Sequence, residues 1–417
     1  MRFLFVSEYY PPMHMGGAEI SLKLLAEGLA ELGHDVTVLT PNYNAHRTDV
    51  EMRGNLRIIR FKSWRYFLFR RKARELSSGI YTRKKPLFYL QLGGYIRLSA
   101  TELRKNAEEL LRREDFDVVH ANNLESILAL SRIRTRAIKV AHLRDFSVMC
   151  WNRGLNNGGR LCEGCSLENL KGCMGAGLTS PLLSYEIHRR GRAIDGYDKL
   201  IAISNFVKGQ FTRRLGVRPS KIGVLYNPIS PSVVSELSKG EARRLLGLPS
   251  ERGIVLFVGT LSEMKGVHLI PALARELPEF LFVVVGDGPL RRLFEENPLE
   301  NIVYRGYQPV ESVKHYYRAA DVLLVPSLWH EPFGRVVIEG IANGCFVIGS
   351  NRGAIPEVIQ WAGSGRFVEP ELENFREAIT SYFESPLPSG RGGRIVLNYS
   401  KKYPYRFTEL ILGAREV

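Results

Sequence analysis

The sequence predicts an α/β protein built as two doubly wound, Rossmann-like domains, each a parallel sheet covered by helices. Three observations lead there. The chain has 417 residues, enough for two to three domains at roughly 150 residues each. Short apolar runs alternate with segments of helical period, the pattern of a parallel α/β sheet. The pattern also restarts after Asn227-Pro228, where Pro and Ser cluster through Ser232, as between domains. Two such sheets are expected to face each other across a cleft at the carboxyl ends of their strands, where ligands bind in this architecture.

Residues 2–7 (Arg-Phe-Leu-Phe-Val-Ser) form an apolar run that stops at polar residues, the first strand. After a loop with Pro and Gly, Leu22, Leu25, Ala26 and Leu29 recur at i, i+3, i+4 and i+7, one face of a helix that Gly33 ends. Residues 35–40 (Asp-Val-Thr-Val-Leu-Thr) complete a strand, helix, strand unit. Residues 118–121, 138–141 and 200–203 continue the first sheet, and Ser204 is placed to cap the next helix. The second sheet is read at residues 254–258, 281–285, 302–304, 322–325 and 346–348. The domains are therefore expected at 1–228 and 229–394. No repeat of 20–50 residues and no low-complexity tract is found.

Composition narrows the class. Hydrophobic residues make up 45% and charged residues 24%, values of a folded globular protein rather than a disordered or fibrous one. No apolar run approaches the ~20 residues that cross a bilayer, and residues 1–7 are too short for a signal peptide. The cytoplasm is the expected location. The formal net charge is +15, which favours an anionic partner. Residues 52–105 hold 15 basic and 2 acidic residues, a local excess that implies a docking patch. Within it the run from Arg60 to Lys72 interleaves aromatics with cations, which suits an anionic membrane surface; the alternative is a solvated segment whose aromatics belong to the core. No recognition helix, zinc finger or RNP-like motif accompanies it, so no nucleic acid partner is expected.

The most informative segment is Glu331-Pro-Phe-Gly-Arg-Val-Val-Ile-Glu339-Gly, after an apolar strand and at the start of a helix. A helix N-terminus offers backbone donors, here from Phe333 and Gly334, and a positive dipole end to a phosphate. At ~1.5 Å rise per residue Glu331 and Glu339 are at most roughly 12 Å apart along the helix, the reach from a sugar through a diphosphate to a ribose.

This motif resembles that of the retaining nucleotide-sugar glycosyltransferases of family four, which have the two-domain GT-B fold. In the same order as in that family follow Gly16-Gly17-Ala18-Glu19, Ser204-Asn205-Phe206-Val207-Lys208, Tyr226-Asn227-Pro228, Val258-Gly259 with Lys265-Gly266, Gly286-Asp287-Gly288-Pro289, and Gly353-Ala354-Ile355-Pro356-Glu357. The ordered set spans about residues 1–368. The resemblance implies a donor-binding second domain, an acceptor-side first domain, and a C-terminal segment, 395–417, that packs back on the first. It implies that Glu339 holds ribose hydroxyls, as a carboxylate accepts two hydrogen bonds. Glu331 would face the transferred sugar and stabilise its oxocarbenium character. Lys265 would bind the donor diphosphate, a cation in place of a catalytic metal. Gly16 and Gly17 would let a phosphate or hydroxyl approach the first loop. His142, at the end of its strand, would touch the sugar; as a lone histidine it could equally cap that strand.

Two departures stand out. Thr260 occupies a position where many members carry an arginine, so Arg335 or Arg352 would have to help Lys265. Near His142 the order is Ala-His-Leu-Arg-Asp, which displaces Asp145 from the usual His-Asp pair. Cys150, Cys162, Cys165 and Cys173 lie within 24 residues, and Cys162-Glu-Gly-Cys165 has the spacing of a metal knuckle. Some family members resemble the chain here as well. A structural zinc site, disulfides and free thiols all stay open. Cys345 belongs in the core.

The expected function is transfer of a sugar from a UDP, GDP or ADP type donor to an acceptor glycan or lipid, with retention. No catalytic metal is expected. The enzyme would be cytoplasmic or peripheral on the inner face of the cell membrane. Rivals are a nucleotide-sugar epimerase on the same fold and a basic nucleic-acid-binding protein. A nicotinamide-linked oxidoreductase is disfavoured, because neither Gly16-Gly17 nor Gly286-Asp287-Gly288 completes the Gly-x-Gly-x-x-Gly fingerprint.

Overall fold

The computed structural model describes residues 1–13, 16–65, 86–157, 160–175, 177–296, 299–386 and 391–413. The chain divides into two compact units, Met1–Tyr226 with Tyr403–Val417, and Asn227–Lys402.

The first unit holds β1 (Arg2–Val6), β2 (Asp35–Asn42), β3 (Asp49–Arg53), β4 (Leu56–Lys62), β5 (Val118–Ala121), β6 (Ile138–Leu143), a short ribbon of β7 (Asn156–Asn157) and β8 (Arg160–Leu161), β9 (Lys199–Ala202) and β10 (Ile222–Val224). Its main sheet has the order β10-β9-β6-β5-β1-β2-β4-β3. All pairs are parallel except β3 with β4. Phe3, Leu4, Phe5 and Val6 of the central β1 are all buried, because helices cover both faces of a parallel sheet and leave no wet side. Leu22, Leu25, Ala26 and Leu29 of the helix Gly17–Glu31 supply one of those covers. The helix Tyr403–Leu412 joins this unit; its Phe407 ring lies 6.3 Å from Phe3 and 6.1 Å from Phe5. Ser204 caps its helix, accepting from the Val207 amide at 3.0 Å.

The second unit holds β11 (Ile254–Val258), β12 (Leu281–Val285), β13 (Ile302–Tyr304), β14 (Val322–Val325), β15 (Phe346–Ser350) and β16 (Gly365–Val368). They form one parallel sheet ordered β13-β12-β11-β14-β15-β16. Val255, Phe257, Val284, Leu324 and Ile348 of the strands pack with Leu273, Phe375 and Ile379 of the helices. The chain runs outward from β11 to β13 and then returns to β14, so β11 and β14 are neighbours on either side of the topological switch point.

The boundaries differ from those read in the sequence. The helix Gly392–Lys401, whose greater part lies in the segment assigned to the first domain, packs in the second unit. Val396 is buried, and a Cβ on Gly392 would come within 2.7 Å of the Ile341 side chain. The chain changes unit after Lys402 and after Tyr226.

The basic stretch also reads differently once folded. Arg53 pairs with Glu51 at 2.6 Å, Arg57 with Glu114 at 2.6 Å, and Arg60 with Glu51 at 2.8 Å. Arg65 is fully buried between Glu8 and Glu102. Four of the basic residues of this stretch are therefore paired with carboxylates, Arg57 and Arg65 with partners from distant segments. Residues 66–85, with Arg70, Arg71 and Lys72, lie outside the described residues.

Candidate active site

The loops after β11, β12, β14 and β15 leave the carboxyl ends of four adjacent strands, and they carry the motifs singled out in the sequence. Lys265 follows β11 and Glu331 follows β14, on the two sides of the switch point. The Lys265 ammonium pairs with Glu331 Oε1, and the Ser327 hydroxyl donates to the same oxygen at 3.1 Å. Lys265 Nζ also lies 5.0 Å from the centre of the Trp329 ring, an additional cation-π contact. Glu331 is 6% exposed, while the Lys265 side chain is 30% exposed.

Backbone fit holds this pair in place. Gly266 has φ +69° and would place a Cβ 1.9 Å from the Pro326 oxygen. The amide of Leu328 donates to the Met264 oxygen at 2.8 Å, which ties the loop after β11 to the loop after β14. Gly353 has φ +64°, and its Cβ would lie 2.3 Å from the Glu331 oxygen and 2.4 Å from the Glu331 nitrogen. Only glycine combines this left-handed backbone with so close an approach. The Ala354 amide donates to the Glu331 oxygen at 2.8 Å.

Glu339 lies in the helix Arg335–Ala342, whose N-cap is Gly334 with φ +82°. The helix thus begins at Arg335, and Phe333 is a buried core side chain ahead of it. Tyr317 OH donates to Glu339 Oε2 at 3.2 Å, and Arg335 Nε lies 3.4 Å from Glu339 Oε1. Burial pushes the Glu339 carboxyl above its usual range, against the charge of Arg335. Both substitute cations considered for Thr260 are already engaged: Arg335 with Glu339 and the Pro228 oxygen, Arg352 with Glu369 at 2.7 Å.

In the first unit, Gly16 is the N-cap of the helix Gly17–Glu31, and its amide donates to Glu19 Oε2 at 3.1 Å. A Cβ on Gly16 would meet no atom within 4 Å, so this position is open. His142 differs from expectation. The strand continues through Leu143, pairs His142 with Ile201 of β9, and leaves the imidazole no exposed surface. His142 Nδ1 lies 3.3 Å from His120 Nε2, and burial followed by the charge of Arg144 lowers the proton affinity of His142 well below the usual range. It is a neutral core histidine here. Asp145 caps a turn, accepting from the Ser147 amide at 2.8 Å.

Sequence reasoning missed the buried polar group beyond β1. Glu8 accepts from Tyr43 OH at 2.5 Å, from Arg65 at 2.5 Å and from Ser99. The available signal was a carboxylate two residues past the first strand. Glu125, next to this group, is pushed up to about 7 by burial and then by the charge of Glu8, with Arg153 acting in the opposite direction. A carboxyl raised from 4.5 in this way contributes its full stability below about pH 4 and loses it as pH rises through about 7. Glu125→Gln is accordingly expected to raise the melting temperature by a few degrees at pH 8 and to leave it unchanged at pH 4. Thermal unfolding at the two pH values checks this; an equal shift at both would refute the buried-charge account.

The four clustered cysteines line one small cavity with Trp151 and Leu170. No disulfide joins any of the four. Cys150 donates to Asn152 Oδ1 at 2.8 Å, and Asn152 Nδ2 donates to Cys173 Sγ at 3.1 Å. The Asn152 amide thus bridges Cys150 and Cys173 where a metal knuckle would need its thiolates to converge on one ion. Among the described residues no three His, Cys, Asp or Glu side chains are grouped to hold a metal. Burial pushes the Cys150 thiol up to about 12, as for a buried, unreactive cysteine.

The family model for Glycosyltransferase Family 4 matches residues 15–233, more than half of the chain, and that for Glycosyl transferases group 1 matches residues 238–391. The chain belongs to glycosyltransferase family 4. Among its relatives is an uncharacterized glycosyltransferase of Methanocaldococcus jannaschii, 25% identical over 388 residues that cover 89% of this chain and 86% of the relative. Among solved structures, sucrose-phosphate synthase from Thermosynechococcus elongatus has a TM-score of 0.68 at 20% identity, covering 99% of this chain and 97% of that one. HepE from Anabaena, solved in complex with UDP and glucose, has a TM-score of 0.61 at 17% identity and covers 99% of both chains. These likenesses show the GT-B fold. In this glycosyltransferase the group 1 match contains Lys265, Glu331, Glu339 and Gly353, all on the carboxyl side of one sheet.

Proposed function

We propose that this glycosyltransferase moves a sugar from a nucleotide diphosphate sugar, of UDP, GDP or ADP type, to an acceptor hydroxyl with retention at the anomeric carbon. The observation that carries the reading is the Lys265–Glu331 pair at the switch point of the second sheet, with Glu339 midway along the helix that follows. The complex of HepE with UDP and glucose supports a nucleotide donor. Glu339 holds the ribose hydroxyls. The Lys265 ammonium turns to the diphosphate, and Glu331 is left to face the sugar. As the bond from the anomeric carbon to the diphosphate oxygen breaks, Lys265 stabilises the charge on the leaving oxygen and Glu331 that on the oxocarbenium-like sugar. The acceptor oxygen bonds to the same face and its proton passes to the departing phosphate, so no enzyme nucleophile is needed. Phe333 and Gly334 position the helix start, and the open Gly16, with Gly17 beside it, lets substrate approach the first loop. His142, fully buried beside His120, is given no part in the transfer. The acceptor is a glycan or a lipid-linked one, the latter presented at the inner face of the membrane.

A thermal-shift screen of UDP, GDP and ADP sugars tests the donor, since a ligand at ~100 times its Kd adds ~2.7 kcal/mol. No shift with any of them would overturn the reading, and a product of inverted configuration would overturn retention. Glu339→Ala is expected to weaken nucleotide binding by about 1.5 to 3 kcal/mol, roughly 10- to 150-fold, the worth of hydrogen bonds to a charged group. Calorimetric titration of the nucleotide alone checks it; unchanged affinity in the folded variant removes Glu339 from the site.

A further inference from the structure

A charged cavity lies wholly within the first unit. It measures about 70 Å³ and is lined by Arg97, Ala100, Thr101, Arg104, Leu128, Arg132 and Arg189. One water needs only roughly 10 to 15 Å³, so a small oxyanion has room. The lining comes from three helices, Pro86–Arg113, Leu124–Leu130 with the turn after it, and Ser180–Gly191.

Four arginines line this space and one carboxylate accompanies them. Glu186 accepts from Arg97 Nε at 3.1 Å, from Arg189 Nε at 3.0 Å and Nη2 at 2.8 Å, and from Arg190 Nε at 3.2 Å. Burial pushes its proton affinity up, but hydrogen bonds from Arg189 and Arg97 hold the carboxyl down at about 2, so it is ionised throughout the working range. One negative charge shared among three arginines leaves the cavity strongly positive. Arg104 has only a 3.9 Å pair with the half-exposed Glu108, and Arg132 has no hydrogen-bond or ion-pair partner among the described residues. Bringing like charges together is unfavourable, and an anion between them offsets it. All four cations are arginine, whose planar fork engages an oxyanion through paired hydrogen bonds where lysine offers a point charge. The surplus of cations favours a doubly charged group over a single carboxylate.

We propose that this cavity binds a phosphoryl group, as a phosphate ester or a diphosphate, on residues of the first unit alone. The phosphate belongs either to a soluble molecule or to a lipid headgroup; the chemistry of capture is the same.

The test titrates inorganic pyrophosphate into the wild-type protein, into Arg104→Glu/Arg132→Glu, and into Lys265→Ala as the control for the donor site. Arg104 and Arg132 carry no buried ion pair, so the fold should tolerate their change; Arg104→Gln/Arg132→Gln serves if circular dichroism shows otherwise. The expected result is binding that survives Lys265→Ala and weakens roughly tenfold or more in the double variant. Unchanged affinity in the double variants, no binding to the wild type, or loss confined to Lys265→Ala would each overturn the proposal. Flotation with phosphatidylcholine vesicles containing phosphatidic acid separates the sources. Retention that the double variant abolishes assigns the phosphate to a headgroup, whereas pyrophosphate binding without flotation assigns it to a soluble ligand.

Discussion

Lys265→Ala is expected to lower turnover by about 10²- to 10³-fold, the effect of removing one preorganised group from a developing oxyanion. Two features of the structure put the loss at the upper end. Thr260 supplies no charge, and the other candidate cations, Arg335 and Arg352, are held by Glu339 and Glu369. Neither of these two guanidiniums therefore stands ready to take over the diphosphate. The substitution also leaves Glu331, 6% exposed, without its cation and with only the Ser327 hydroxyl at 3.1 Å, an uncompensated buried charge. Nucleotide release from the donor found by thermal shift reads the effect. Lys265→Arg should recover part of the rate, because the charge returns on a different geometry. Since lysine is assigned the task of a metal, wild-type activity should persist in EDTA. Activity lost to EDTA and restored by Mg²⁺ or Mn²⁺ would defeat that assignment.

Gly353→Ala is expected to destabilise the second unit by about 2 to 4 kcal/mol, from left-handed backbone strain and steric overlap together. At φ +64° the new methyl would overlap the Glu331 nitrogen and oxygen at 2.4 and 2.3 Å and the His330 carbonyl carbon at 2.7 Å. These are backbone atoms, so a rotamer change cannot relieve the clash. Either the β15 loop withdraws, which breaks the Ala354 amide bond to the Glu331 oxygen, or Glu331 moves away from Lys265. For a unit of this size the melting temperature should fall by roughly 5 to 15 °C. Sugar transfer should fall more than nucleotide binding, because Glu339 sits on a separate helix. A wild-type melting temperature would show that the loop shifts freely and that Gly353 does not clamp Glu331.

Strands whose residues are apolar throughout were legible without the fold. Ile254–Val258, Leu281–Val285 and Val322–Val325 coincide with the expected runs, because a parallel strand covered on both faces must be apolar at every position. The hairpin of β3 and β4 was missed. Leu56, Ile58 and Phe61 are buried, but Arg57 and Arg60 between them drew attention as charge. Their partners, Glu114 and Glu51, come from elsewhere in the chain or from the facing strand. Likewise Arg65 in the basic run gave no sign that it would be buried beside Glu8, 57 residues away.

The candidate site divides the same way. The sequence by itself determined the family, the alternation that makes two parallel sheets, and the short-range geometry around Glu331, Gly334 and Glu339, because helix rise and strand patterning are local properties. Only the tertiary structure decided that Lys265 meets Glu331, 66 residues apart, that Gly353 packs on the Glu331 backbone, and that His142 is enclosed with His120. It also decided that arginines from three helices converge on one cavity. Such contacts depend on strand order, which places β11 beside β14 although two strands separate them in the chain. Charge and burial are then set by which neighbours arrive, and a one-dimensional pattern does not contain that information.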